Sequence, residues 1–96
     1  MNYEIIFGDG ALDNVVTIAE NLAAGEAFLE KVEQALRLLA DDPFHHGIKD
    51  RSVFGFRGQT YRFQVDHEGV VFFFAARFYF RENENELMMV NVEVSL

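Results

Sequence analysis

The stretch from Val70 to Phe80 constrains the fold more than any other. Phe72, Phe74, Ala76, Phe78 and Phe80 occupy every second position, and Val71, Phe73, Ala75, Arg77, Tyr79 and Arg81 fill the positions between and after them. A period of two is the signature of a β-strand, because successive side chains leave a strand on opposite faces. The run contains no glycine or proline, so it reads as one long strand. Its aromatic residues suit either a stacking platform for single-stranded nucleic acid or a central strand buried on both faces. Apolar side chains in both alternating sets favour burial. Arg77 interrupts the run, and it is too short to cross a bilayer.

The flanking segments extend this into a sheet. Tyr61, Phe63 and Val65 alternate with Thr60, Arg62, Gln64 and Asp66, which predicts a strand with one apolar face, and Asp66-His67-Glu68-Gly69 reads as a four-residue hairpin connection. After the polar turn Glu82-Asn83-Glu84-Asn85, Met88, Val90, Val92 and Val94 alternate with Met89, Asn91, Glu93 and Ser95. This phase puts Met89 on the outer face of the last strand. Val53, Phe54 and Phe56 suggest a further short strand before Gly58.

The first half of the chain has a different period. Tyr3, Ile5 and Phe7 form a short alternating strand that stops at Gly8-Asp9-Gly10. Leu12, Val15, Val16, Ala19, Leu22 and Ala23 then recur at helical spacing, with Asp9 as the expected N-cap and Ala24-Gly25 as the expected stop. Phe28, Leu29, Val32, Ala35, Leu36 and Leu39 mark a second amphipathic helix, closed by Asp41-Asp42-Pro43. Glu26, Glu30 and Glu33 lie on its polar side, with Glu33 and Arg37 at i,i+4. The expected fold is α+β in the order β-α-α-β-β-β: an N-terminal strand and helical hairpin packed on a C-terminal antiparallel sheet. With 96 residues and 50% hydrophobic content, residues 1–96 suffice for one domain with one core.

Composition narrows the chemistry. There are no cysteines, so thiolate metal sites, disulfides and cysteine nucleophiles are excluded, in keeping with a cytoplasmic location. Eight Lys and Arg stand against 16 Asp and Glu, a formal net charge of −8 that opposes general attraction to nucleic acid. The middle is nevertheless locally basic, through Lys49, Arg51, Arg57, Arg62, Arg77 and Arg81. His45-His46 could pair with His67 or Asp42 around a metal, but adjacent loop histidines without a spaced third ligand read as solvated. Asp41 and Asp42 read as turn chemistry beside Pro43. No glycine-rich phosphate loop or serine elbow is present, and neither metal nor cofactor is expected.

Several phrases, taken with the element order, resemble the RelE/ParE-like toxin superfamily of bacterial toxin-antitoxin modules. They are Tyr3-Glu4-Ile5-Ile6-Phe7, the helical hairpin, Leu38-Leu39-Ala40-Asp41-Asp42-Pro43 leading into Gly47-Ile48-Lys49, and Tyr61-Arg62-Phe63-Gln64-Val65-Asp66. The family typically follows that last strand with a Gly-Asp turn and a second Tyr-Arg pair, where this chain has Asp66-His67-Glu68-Gly69 and Val70-Val71. For the ribosome-dependent mRNA interferases of the family, the resemblance implies phosphate stabilisation by Arg62, Lys49 and Arg51 and proton transfer by a C-terminal Tyr or His. Val92-Glu93-Val94-Ser95-Leu96 supplies neither residue. The ParE-like branch, whose members are thought to bind DNA gyrase, needs no such group. The resemblance therefore implies protein binding, to an antitoxin or a target enzyme. Phe73, Arg77, Tyr79, Arg81 and Met89 are the candidate surface, open to a partner or a second copy of the chain. A rival class is a small acidic inhibitor of the kind phages and mobile elements encode, which would occupy a basic groove on a nucleic-acid enzyme.

Overall fold

A computed structural model describes residues 3–46, 48–49, 58–81 and 84–96. The elements run β1 (Glu4–Phe7), α1 (Asp13–Glu20), α2 (Gly25–Asp41), α3 (Pro43–His46), β2 (Ile48–Lys49), β3 (Gly58–His67), β4 (Val70–Arg81) and β5 (Glu86–Ser95). The fold is α+β, as the periodicities predict. The strands form one five-stranded sheet in the order β1-β5-β4-β3-β2. The C-terminal strands pair antiparallel, as expected, and β1 joins them by pairing parallel with β5, so the whole sheet is mixed. Val53, Phe54 and Phe56 lie outside the described residues.

One face of the sheet carries the core. Tyr61 and Val65 of β3, Phe72, Phe74, Ala76 and Phe78 of β4, and Leu87, Met89 and Val92 of β5 are buried together with Val15 and Ala19 of α1 and Phe28, Val32, Leu36 and Leu39 of α2. The helical residues recur every three to four positions, which places them in one stripe against the sheet. Phe28 anchors this layer, packing edge-on to Phe72 at a centroid distance of 5.0 Å. Full burial of one such side chain stabilises the fold by about 1.5–3 kcal/mol. Lys31 adds a polar tie from α2 by donating to the Asp66 carbonyl at 2.7 Å. The expected Glu33–Arg37 pair forms at 2.6 Å on the exposed side of α2.

Four local expectations are corrected. First, Asp9 does not cap α1; Gly8 to Leu12 form a tight turn, with Gly10 at φ +73°, and the helix opens at Asp13, whose carboxylate favours a helix N-terminus. Second, Gly25 is not the stop of α1 but the first residue of α2, and Ala24 takes the left-handed conformation at φ 55°. Third, Pro43 to His46 make one helical turn rather than a loop. Fourth, the β3–β4 connection is shorter than four residues. His67 still pairs with Val70, leaving Glu68 and Gly69 at φ 51° and 82° as a two-residue turn of the type that matches strand twist.

The last strand holds the largest correction. A bulge between the partners of Arg77 and Phe78 puts Asn91 opposite Arg77 but Met89 opposite Phe78, so Val90 is the extra residue. The bulge reverses the phase of β5. Met89 is 1% exposed and belongs to the core, and Met88 takes the outer position assigned to it.

Candidate binding face of the sheet

α1 and α2 cover the same side of the sheet, and the opposite side is organised in rows across β3, β4 and β5. Strand register defines them as Gln64–Phe73–Ser95, Arg62–Ala75–Glu93, Thr60–Arg77–Asn91 and Gly58–Tyr79–Met88, the last continuing to Ile6 of β1. Arg81, Glu86 and Glu4 form the row beyond. Phe73, Arg77, Tyr79 and Arg81 therefore share one face, as the alternation predicts, and the register adds Arg62 to it. That face is only partly open: Phe73 is 50% exposed, which corrects the expectation that β4 is buried on both sides at that position, whereas Ala75 and Thr60 on the same face are 7% and 4% exposed.

The charges on this face are largely internal pairs. Arg77 meets Glu93 at 2.9 Å. Arg81 meets Glu84 at 2.7 Å and Glu86 at 3.4 Å, and its Nη1 also approaches the Met88 sulfur at 3.9 Å. Arg62 differs: it is exposed and makes no hydrogen bond or ion pair with the described residues. It lines two adjoining clefts with Phe73 and Phe74, one of about 150 Å³ reaching Glu93 and Ser95, the other of about 370 Å³ reaching Gln64. An unpaired guanidinium beside a half-exposed aromatic ring can hold a carboxylate and an apolar side chain of a partner together.

The residues assigned to phosphate chemistry are not brought together among the described residues. Lys49 stands opposite Gln59, in the row that continues through Phe78, three positions out of step with Arg62. Arg51 lies outside the described residues. Tyr79 shares the face with Arg62 but follows Ala75, the ladder partner of Arg62, by four positions, roughly 13 Å along the strand. Tyr61 points into the core, where burial raises its phenol above the ordinary value of 10.0 and keeps it protonated. His67 is committed elsewhere: it is 4% exposed, its Nε2 lies 2.7 Å from the Ala23 carbonyl, and its ring packs edge-on to Phe28. Among the described residues no three His, Asp or Glu side chains gather around a possible metal position, and no helix is long and apolar enough to cross a membrane.

Sequence reasoning missed Glu93 and Ser95 as neighbours of Arg62, and Met88 as the half-buried methionine on this face. Register, not residue type, makes them neighbours. The available clue was the run Leu87-Met88-Met89-Val90, which is apolar at four successive positions and therefore leaves the strand phase undefined.

The acidic end of the face has its own electrostatic signature. A side-chain hydrogen bond with Glu84 raises the Glu86 carboxyl above its ordinary 4.5, helped by desolvation and by the charges of Glu84 and Glu4, while Arg81 opposes the shift. A carboxyl raised in the folded state takes up a proton more readily there than in the unfolded chain. Its contribution is thus fully present below the ordinary value and is lost as pH rises through the folded value. Glu86→Gln removes this titration. Denaturant unfolding at a series of pH values should show wild type losing stability relative to the variant as pH rises from about 4.5 through the folded value. Parallel stability curves would rule the coupling out.

No family model, curated protein or solved structure matches the chain.

Proposed function

We propose that this protein is a diverged RelE/ParE-like protein that works in the cytoplasm by binding another protein, an antitoxin or a target enzyme, through the open face of its sheet. The observation that carries the reading is Arg62, exposed and without an ion pair, beside the half-exposed Phe73. Arginine, aromatic residues and methionine are the types enriched at the centres of protein interfaces. Here Arg62, Phe73, Tyr79 and Met88 share one surface, with the other arginines neutralised by Glu84, Glu86 and Glu93. The element order supports the family resemblance.

The test is induced expression in a bacterial host, comparing wild type with Arg62→Ala and Phe73→Ala while following growth, transcript integrity and plasmid supercoiling. The expected result is growth arrest with transcripts intact, relieved by either substitution while the purified variants remain folded. Loss of a central interface side chain typically costs about 2 kcal/mol or more, roughly a 30-fold loss of affinity. Transcript cleavage that disappears in Arg62→Ala would replace this reading with the mRNA interferase. Unimpeded growth would replace it with the acidic inhibitor.

A further inference from the structure

We infer that a second copy of this chain pairs with the free edge of β3, joining the two five-stranded sheets into one across a two-fold axis at Gln64. The inference goes beyond the partner-binding reading and does not rest on it. β2, the strand beside β3, is matched only with Gln59 and Thr60, so from Arg62 to Asp66 β3 has no ladder partner on that side among the described residues. The direction of the peptide groups follows from the turn. Glu68 and Gly69 form a two-residue connection, so His67 and Val70 close it as a hydrogen-bonded pair. Alternation along an antiparallel ladder then turns the peptide groups of Val65, Phe63 and Tyr61 toward β4 and those of Arg62, Gln64 and Asp66 outward. Two contacts agree with this direction: Thr60, of the same parity, is matched with Ile48, and the Asp66 carbonyl accepts from Lys31 at 2.7 Å. The peptide groups of Arg62 and Gln64 have no hydrogen-bond partner among the described residues. An unpaired edge of this kind is a template for another strand.

The residues on this edge select a second copy and its register. Outward groups must meet outward groups, so even-numbered residues of the two antiparallel strands face one another. β2 excludes the register that sets Arg62 against Gln64, because His67 of the second copy would then fall opposite Gln59, where Lys49 already lies. Setting Gln64 against Asp66 carries Arg62 beyond the strand, opposite Glu68 in the turn, and setting Asp66 against Asp66 brings like charges together. Setting Gln64 against Gln64 has neither defect. Arg62 then lies opposite Asp66 on both sides of the axis, and all four of these side chains are exposed. Gln64 exchanges both peptide hydrogen bonds with its symmetry mate, and Arg62 does so with Asp66. His67 of the second copy stops opposite Tyr61, one row short of Ile48.

The contact uses peptide groups and the side chains of alternate residues, so it needs no exposure of Val65, which is 4% exposed beneath α2. Lys31 holds the Asp66 carbonyl at the end of the free edge, and the second lone pair of that oxygen accepts from the incoming Arg62 amide. A net charge of −8 opposes association over the rest of the surface, so the dimer is weak and concentration-dependent. A partner protein that takes Arg62 and a second copy that takes it exclude one another.

The test combines charge reversal with a blocked edge. Arg62→Glu sets glutamate against Asp66 across the axis, and Asp66→Arg sets arginine against Arg62, so each variant alone stays monomeric in sedimentation velocity over the range where wild type doubles its mass. Mixed one to one they form a dimer, because both cross-pairs are again opposite in charge. Gln64→Pro removes an N–H that serves no bond among the described residues, so the variant folds, as an outward-facing proline on an edge strand allows, and stays monomeric. Monomeric wild type up to millimolar concentration, whatever else it captures, would overturn the inference. So would a Gln64→Pro protein or either charge variant that dimerises as strongly as wild type, or a mixture no stronger than its components. Amide hydrogen exchange of wild type does not depend on the variants folding. The Gln64 amide should exchange freely in dilute solution and gain protection as concentration rises, and exchange at Gln64 unchanged by concentration would overturn the inference.

Discussion

Met89→Glu should abolish cooperative folding rather than loosen an assembly. The side chain is 1% exposed and pairs across the ladder with fully buried Phe78, within the cluster that contains Phe28, Leu39 and Leu87. A carboxylate in such surroundings has neither water nor a cation, and the effective cost of burying an unpaired ion is several kcal/mol. Small domains have only about 5–15 kcal/mol in all, so at neutral pH the variant should show no cooperative thermal transition by circular dichroism. Partial recovery is expected in acid, where the carboxyl is neutral. Met89→Leu, nearly equal in volume, should cost less than about 1.5 kcal/mol, and Met88→Glu on the open face should fold. A Met89→Glu protein that melts within a few degrees of wild type would refute the bulged register of β5.

Gly25→Ala should be the second most damaging of the substitutions considered. Alanine ordinarily improves a helix by up to about 1 kcal/mol over glycine, so a simple propensity argument predicts stabilisation. The structure predicts the reverse. A Cβ at Gly25 would lie 2.1 Å from the Ala19 carbonyl oxygen, a backbone atom that also accepts from the Leu22 amide at 3.2 Å. Relieving that overlap requires the end of α1 and the start of α2 to part, and overpacking of this kind typically costs about 1–3 kcal/mol. At roughly 4–8 °C per kcal/mol for a domain near this size, the melting temperature should fall by about 10 °C. A variant as stable as wild type would mean that the two helices are not held in this close approach.

The same two positions show what was legible in the sequence. Long alternation in β4 and the paired stripes of α1 and α2 were readable because many residues agree on one period, and an error at one position cannot overturn the pattern. The phase of β5 was not, because four consecutive apolar residues, Leu87 to Val90, fit either face. Phase had to be decided by the partner strand, which demands Phe78 opposite Met89 and Arg77 opposite Asn91. Gly25 misled for a related reason: glycine after a helix usually supplies a left-handed residue. Here its missing side chain admits a neighbouring carbonyl, and Ala24 takes the left-handed role. His67 was hidden by its position in a turn-like phrase, and only the contact with Ala23, 44 residues away in sequence, reveals it as buried. On the candidate face, four of the five residues chosen for binding, Phe73, Arg77, Tyr79 and Arg81, were placed together by alternation alone. Glu93 and Ser95, companions of Arg62, were invisible, since they come from another strand.

The parallel pairing of β1 with β5 orders events in time. Among the described residues Glu4 to Phe7 have Glu86 to Met89 as ladder partners, so β1 must wait on the ribosome for β5. Closure of so long a loop is a slow, entropically costly step, because non-local pairing rewards the chain only after its ends have met. Until β5 leaves the exit tunnel, β4 lacks one neighbour and the row containing Glu93 does not exist. A partially synthesised chain therefore has Arg62 without the Glu93 half of its row.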